Sequence, residues 1–239
     1  MNKVEKVEML KAGVHFGHRT SKWNPKMEPF IFTNRQGVHI IDLDKTEEYL
    51  NRALEFVAQI AAKGGTVLFV ASKRQAKDLV KKAAEDCNMP YVTERWLGGT
   101  FTNFLTISKR TRKLRDLEAA ERTGELKKYT KKEQLVKKEE IKKLNHFMGG
   151  IKNMTSLPDA VFLIDVIKEK VAVSEIKKAK VPLIALIDTN ADPAIAEYPI
   201  PSNDDAIKVI ELMVNAVRDA VKDNFKTPIV KNDNQPNKK

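Results

Sequence analysis

Three stretches of this chain are apolar almost without interruption: Thr66-Val-Leu-Phe-Val-Ala71, Ala160-Val-Phe-Leu-Ile164 and Pro182-Leu-Ile-Ala-Leu-Ile187. A run of this kind has no polar side to offer water, so each reads as a strand covered on both faces. Helical spacing follows each of them. Leu79, Val80, Ala83 and Ala84 lead to Cys87 after the first, residues 171–178 follow the second, and a long pattern from Ala206 to about Asn224 follows the last. Strand and helix in alternation predict a parallel sheet with helices on both faces. Two shorter segments complete it, Pro90-Tyr-Val-Thr93 and Tyr198-Pro-Ile-Pro201, and the prolines put the latter at an edge. The expected fold is α/β, a doubly wound five-stranded parallel sheet.

Helix starts carry their own signals. Asp44-Lys-Thr-Glu47 precedes an amphipathic pattern through Leu50, Leu54, Val57 and Ile60, which Gly64-Gly65 ends. Ser72-Lys-Arg-Gln75 and Ser202-Asn-Asp-Asp205 stand before the second and the last helix. Between the second and third strands the pattern breaks. Residues 103–148 lack any strand signal, and Leu105, Leu114 and Leu117, then Leu135, Ile141 and Leu144, form two narrow helical stripes. Gly124 marks a turn between them, Thr130-Lys-Lys-Glu133 is a second capping box, and Gly149-Gly150 returns the chain to the sheet. This predicts an inserted helical hairpin, coiled-coil-like with an imperfect seam, whose polarity calls for a partner to cover it. The expected organisation is a discontinuous α/β domain from 1–102 and 149–225 with an N-terminal extension, the hairpin at 103–148, and a disordered tail at 226–239.

Charge is unevenly spread. Lys and Arg number 43 against 32 Asp and Glu, a net +11. Residues 105–148 hold 14 basic and 7 acidic side chains, whereas residues 149–225 hold 9 and 12. A surplus confined to one arm and the chain ends suits a protein that lies against phosphates. A solvated lysine-rich helix face is the plainer alternative. A single cysteine, Cys87, permits no internal disulfide and fits a reducing compartment. No apolar run reaches membrane-spanning length, and the N-terminal residues show no secretory pattern, so a cytoplasmic protein with no membrane partner is expected.

Open α/β sheets take ligands at the carboxyl ends of their strands. Those ends hold Ser72-Lys73-Arg74, Asp165 and Asp188-Thr-Asn-Ala-Asp192, so a magnesium-dependent phosphate-handling enzyme or nucleotide-binding module using Asp165 and Asp188 is a rival reading. The phosphate-cradling glycine motifs, the G-x-S-x-G elbow and HExxH are all missing from the sequence. No catalytic residue, required cofactor or small-molecule substrate is therefore expected. His15-Phe-Gly-His18 leaves two readings open. One is a hydrogen-bonded histidine at a helix end; the other is a structural divalent metal held by His18 with Asp188, Asp204 or Asp205.

Two segments combine cations, amides and tryptophan at turns: Gly17-His-Arg-Thr-Ser-Lys-Trp-Asn-Pro-Lys26, and Glu94-Arg-Trp-Leu-Gly-Gly-Thr-Phe-Thr-Asn103 leading into Ser108-Lys-Arg-Thr-Arg-Lys113. Arg and Lys neutralise phosphates, amides and hydroxyls reach phosphate or ribose oxygens, and an indole offers a face to an unpaired base. Trp23 and Trp96 serve equally well as packing residues on sequence grounds. The lysine pairs at 127–128, 131–132, 137–138 and 142–143 suit a backbone track or a solvated face.

Longer motifs, among them His15-Phe-Gly-His18, Trp23-Asn-Pro-Lys-Met27, Asn34-Arg-Gln-Gly-Val-His-Ile-Ile-Asp42, Arg95-Trp-Leu-Gly-Gly-Thr-Phe-Thr-Asn103, Asp188-Thr-Asn-Ala-Asp-Pro193 and Ile200-Pro-Ser-Asn-Asp-Asp-Ala206, resemble small-subunit ribosomal protein two in its bacterial form, in order from about residue 3 to 224. The resemblance implies a flavodoxin-like sheet with a protruding helical hairpin. It also implies a non-enzymatic ribosomal constituent at the head-body junction, bound to small-subunit ribosomal RNA and neighbouring proteins, ribosomal protein one included where present. RNA-facing positions implied by the family are Arg19, Lys22, Trp23, Asn24, Lys26, Arg95, Trp96, Thr102, Asn103, Lys109 and Arg110, to which the basic run adds Arg112 and Lys113.

Overall fold

The computed structural model describes residues 4–225; the 226–239 tail lies outside the described residues. In chain order the regular elements are α1 (Lys6–Ala12), β1 (Phe16–Arg19), β2 (Ile31–Arg35), β3 (Val38–Ile41), α2 (Leu43–Ala62), β4 (Val67–Val70), α3 (Lys77–Asp86) and β5 (Tyr91–Val92). They continue with α4 (Phe104–Arg122), α5 (Lys131–Met148), β6 (Ala160–Ile164), α6 (Lys170–Ala179), β7 (Leu183–Ile187), β8 (Tyr198–Pro201) and α7 (Ile207–Asn224). Five strands form one all-parallel sheet in the order β5-β4-β6-β7-β8, the flavodoxin-like doubly wound arrangement, with its switch point between β4 and β6.

Strand alternation divides the apolar residues between two cores. Val67, Phe69, Phe162, Ile164, Ile184 and Leu186 face α2, α3 and α7 on one side of the sheet. Leu68, Val70, Val161, Leu163, Leu183 and Ile187 face α6 and the root of the hairpin on the other. Both faces are dry, which is why the strands carry no polar alternation. Pro199 and Pro201 lie in β8, an edge strand as expected.

The helix starts fall a little away from the sequence signals. Asp42, rather than Asp44, caps α2, its Oδ1 accepting from the Asp44 N–H at 2.8 Å. Ser72-Lys-Arg-Gln75 caps nothing: α3 begins at Lys77 after an uncapped Ala76, and the Ser72 N–H donates to Glu169 Oε1 at 3.0 Å. Before α7, Asn203 Oδ1 accepts from the N–H groups of Asp205 and Ala206, an Asx turn ahead of the helix. The box at Thr130 and Glu133 does form, with reciprocal side-chain to backbone bonds.

An element that the apolar pattern did not announce is a three-stranded antiparallel sheet, β1-β3-β2, built from the N-terminal extension. Its β2–β3 turn places Gln36 and Gly37 at φ 52° and 76°, the two left-handed residues of a tight hairpin. The polar residues of β1 and β2 gave these strands no apolar signature.

The helical arm, α4 and α5, packs on a three-residue core of Leu114, Leu126 and Ile141, with Leu117 and Leu144 partly buried beside it. Its root is better anchored, because Ile107 and Met148 join Trp96, Phe101 and Ile151 in the core beneath the sheet. Truncating a fully buried leucine costs about 2–5 kcal/mol, more than so small a cluster can absorb. Leu114→Ala should therefore accelerate amide exchange in α4 and α5 beyond about residue 110, as read by hydrogen exchange, while β4, β6 and β7 keep their protection.

Candidate nucleic-acid interface

The first RNA-facing segment is held against the sheet by close backbone contact. Gly17 lies where a Cβ would come within 2.5 Å of Thr189 Cγ2, so only glycine fits without displacing the loop after β7. The next N–H, of His18, donates to Thr189 Oγ1 at 2.7 Å, and the Asn24 N–H donates to the Thr189 carbonyl at 2.7 Å. Lys26 Nζ reaches Asp192 Oδ2 at 2.6 Å. Asn24 uses its own Oδ1 to accept from the Lys26 N–H, capping the short 3-10 turn Pro25–Phe30. Trp23 is half-buried and rests on His39, ring centroids 5.0 Å apart. Arg19 and Lys22 are exposed and enter no ion pair among the described residues.

In the second segment Arg95, Thr102 and Asn103 are exposed. Trp96 is not available to a base: it is only 5% exposed and packs edge-on against Phe101 at 5.1 Å. It is a core residue, not the exposed RNA-facing side chain that the resemblance implies. Sequence reasoning missed the group that shapes this loop, Glu175 of α6. Its buried carboxylate accepts from the N–H groups of Gly99 at 2.6 Å, Phe101 at 3.0 Å and Thr102 at 3.3 Å. Burial pushes the Glu175 carboxyl up, but these backbone bonds outweigh it and hold the group below its ordinary range. A lone acid in an amphipathic helix gave no sign of this role. Beyond the loop Lys109, Arg110 and Arg112 are exposed, while Lys113 pairs with Glu140 across the arm.

The carboxyl rim of the sheet, where a ligand would enter, is occupied by protein. Lys73, at the end of β4, reaches Asp205 at 2.6 Å, Asp204 at 2.8 Å and Asp165 at 3.4 Å. Beside it His18 Nδ1 lies 3.0 Å from Asp188 Oδ1, and His18 Nε2 is 3.6 Å from Asp205 Oδ2 and 3.2 Å from Asn190 Nδ2. The structure thus brings His18, Asp188, Asp204 and Asp205 into one network, with the Lys73 ammonium among them. Among the described residues no group of three or more His, Cys, Asp or Glu side chains is disposed to hold a metal ion. Asp165 and Asp188, the pair on which a magnesium-dependent reading rests, are engaged by Lys73 and by His18 with Thr189.

Lys73 serves three carboxylates, so no one of them receives its full charge. Its own pKa is raised, because its acidic partners outweigh the large opposing effect of burial. Asp204 is nearly buried; burial first, and then the Asp188 charge, overcome Lys73 and push its carboxyl up to about 7. The hydrogen bond to Asp188 raises His18 against its own burial. The backbone and ion-pair partners of this rim join β1 to the ends of β4, β6, β7 and β8, all by short-range polar contact.

A basic helical arm inserted in a flavodoxin-like α/β body, with the rim of its sheet filled by its own side chains, defines the class of the chain as an α/β scaffold carrying a helical insert. A family model described as ribosomal protein S2 matches residues 9–224. The chain belongs to that family, the structural proteins of the small ribosomal subunit.

Two outcomes follow from the rim. Lys73→Met leaves the buried Asp204 without its cation and should lower stability in denaturant unfolding. The loss should be less than the about 3–5 kcal/mol of a fully buried pair, because Asp205 is exposed and Asp204 can take up a proton. Asp204 carries its proton more readily folded than unfolded, where its value is an ordinary 3.8. Its contribution is therefore present below about pH 4 and lost as pH rises through about 7. Asp204→Asn should remove that loss, so the variant gains stability relative to the parent between pH 4 and 7, read from unfolding midpoints across that range.

Proposed function

We propose that this small-subunit ribosomal protein acts by neutralising phosphates of small-subunit ribosomal RNA at the junction of head and body, with the arm and the N-terminal segment as its two contact regions. The observation that carries this reading is a set of exposed cations left without carboxylate partners among the described residues: Arg19, Lys22, Arg95, Lys109, Arg110 and Arg112. An isolated stable fold gains nothing from leaving them unpaired, whereas a phosphate backbone meets each one. Trp23, with one face on His39, completes the N-terminal region as a platform for an unpaired base. Thr102 and Asn103, exposed at the start of α4, reach phosphate or ribose oxygens from the arm's root.

The role is structural and the protein works in the cytoplasm as part of the ribosome. No helix of the described residues is long and apolar enough to cross a membrane. Neighbouring small-subunit proteins, ribosomal protein one where present, meet the apolar side chains that the arm exposes, Leu105, Leu135 and Val136. Those exposed side chains support the expectation of a partner on the arm, which subunit assembly tests.

Neutralising about six phosphates should weaken binding to isolated RNA on the order of a thousandfold between 50 and 200 mM salt. Filter binding across that range checks it, and a flat salt dependence would count against the reading. Replacing Lys109, Arg110, Arg112 and Lys113 with Ala should reduce incorporation into reconstituted subunits, scored by co-sedimentation. Thermal stability should stay nearly constant, since the Lys113–Glu140 pair is exposed and worth about 0–1 kcal/mol.

A further inference from the structure

Away from the N-terminal segment and the outer faces of the arm, a crevice of about 790 Å3 opens between α3, the outer side of edge strand β5 and the chain returning from the arm. The return is pressed tightly onto the strand: a Cβ on Gly150 would lie 2.2 Å from the Tyr91 carbonyl oxygen. That contact fixes the crevice wall and requires glycine there. The opposite end of the wall is tied to the arm, because Asn145 and Lys152, which line the crevice, both hold Glu118 of α4, Lys152 at 3.0 Å.

The lining is dominated by hydroxyl, amide and ammonium groups. Pockets for small organic ligands are walled mainly by apolar and aromatic side chains, and protein interfaces centre on the same residue types. This crevice suits neither. Lys81, Asn88, Asn153, Thr155 and Ser156 line it and make no side-chain hydrogen bond or ion pair within the described residues. The carboxylate in the lining, Glu85, already accepts from Tyr91 Oη at 2.7 Å and is turned to the strand. Uncommitted neutral donors beside an unpaired lysine are the groups that hold phosphate and ribose oxygens.

We propose that this crevice is a further RNA-backbone site, seating the sugar-phosphate chain of ribosomal RNA that runs on from the arm's root past β5. The inference rests on the RNA-binding reading above and adds a contact face to it. Lys81 neutralises a phosphate, while Asn153, Thr155 and Ser156 supply neutral hydrogen bonds, so the site reads backbone and not sequence. The rigid junction of arm and sheet sets its position relative to the arm.

The test uses the full chain assembled into small subunits. Thr155, and in a parallel sample Lys109 on the arm, is replaced by the photoreactive residue p-benzoylphenylalanine, and the subunits are irradiated. Crosslinking of position 155 to ribosomal RNA, weakened by Asn153→Asp with Ser156→Asp, is the expected result. In filter binding to small-subunit ribosomal RNA, Lys81→Ala should lower the slope of log affinity against log salt by about one. A position 155 that crosslinks to protein alone, or to nothing while position 109 crosslinks to RNA, overturns the proposal and leaves the RNA-binding reading standing. Failure at both positions removes the two together. Lys81, Asn153 and Ser156 are exposed, so unchanged melting temperatures separate lost contact from lost folding.

Discussion

One ammonium group closes the end of the sheet at which α/β proteins ordinarily receive their ligands. Lys73 stands at the end of β4 with carboxylates from the ends of β6 and β8 around it. His18 brings the N-terminal sheet to the same place through Asp188. Removing so many charges from water is costly unless each finds a partner, and the balance here is incomplete, as the raised Asp204 shows. The rim works as a fastener. It joins five separate pieces of backbone, and through His18 it ties the strand that carries Arg19 to the parallel sheet.

The sheet was legible because its strands are dry on both faces, a condition that leaves an unbroken apolar run in the sequence. The runs at 160–164 and 182–187 coincide with β6 and β7 to within a residue. Helix starts were less legible. Asp42 and Asp44 are equally good caps by type, and only the observed backbone decides between them. The antiparallel sheet of the N-terminal extension escaped notice because β2 is exposed along nearly its whole length and owes its pairing to β3 and a two-residue turn. Local pattern has little purchase on such a strand.

Site residues divide in the same way. Exposed cations such as Lys109 and Arg110 could be found from charge alone. The two tryptophans could not be separated by their neighbours, since both sit among arginines and amides; Trp96 is buried because Phe101 and Ile107, a few residues on, turn the loop inward onto the core. Glu175 and Lys73 act through partners 73 to 132 residues away, and separations of that size leave no trace in local spacing. The family match spans residues 9–224 and so takes in both regions of cationic surface.

The close approach of Gly17 to Thr189 bears on how the molecule is made. His18 and Thr189 are 171 positions apart. At synthesis rates of about 5–20 residues per second, roughly 10 to 35 s pass between the emergence of one and the other. Through that interval β1 can pair with β3 but lacks its contact with the loop after β7. The order of translation thus makes the contact that seats β1 on the parallel sheet a late one.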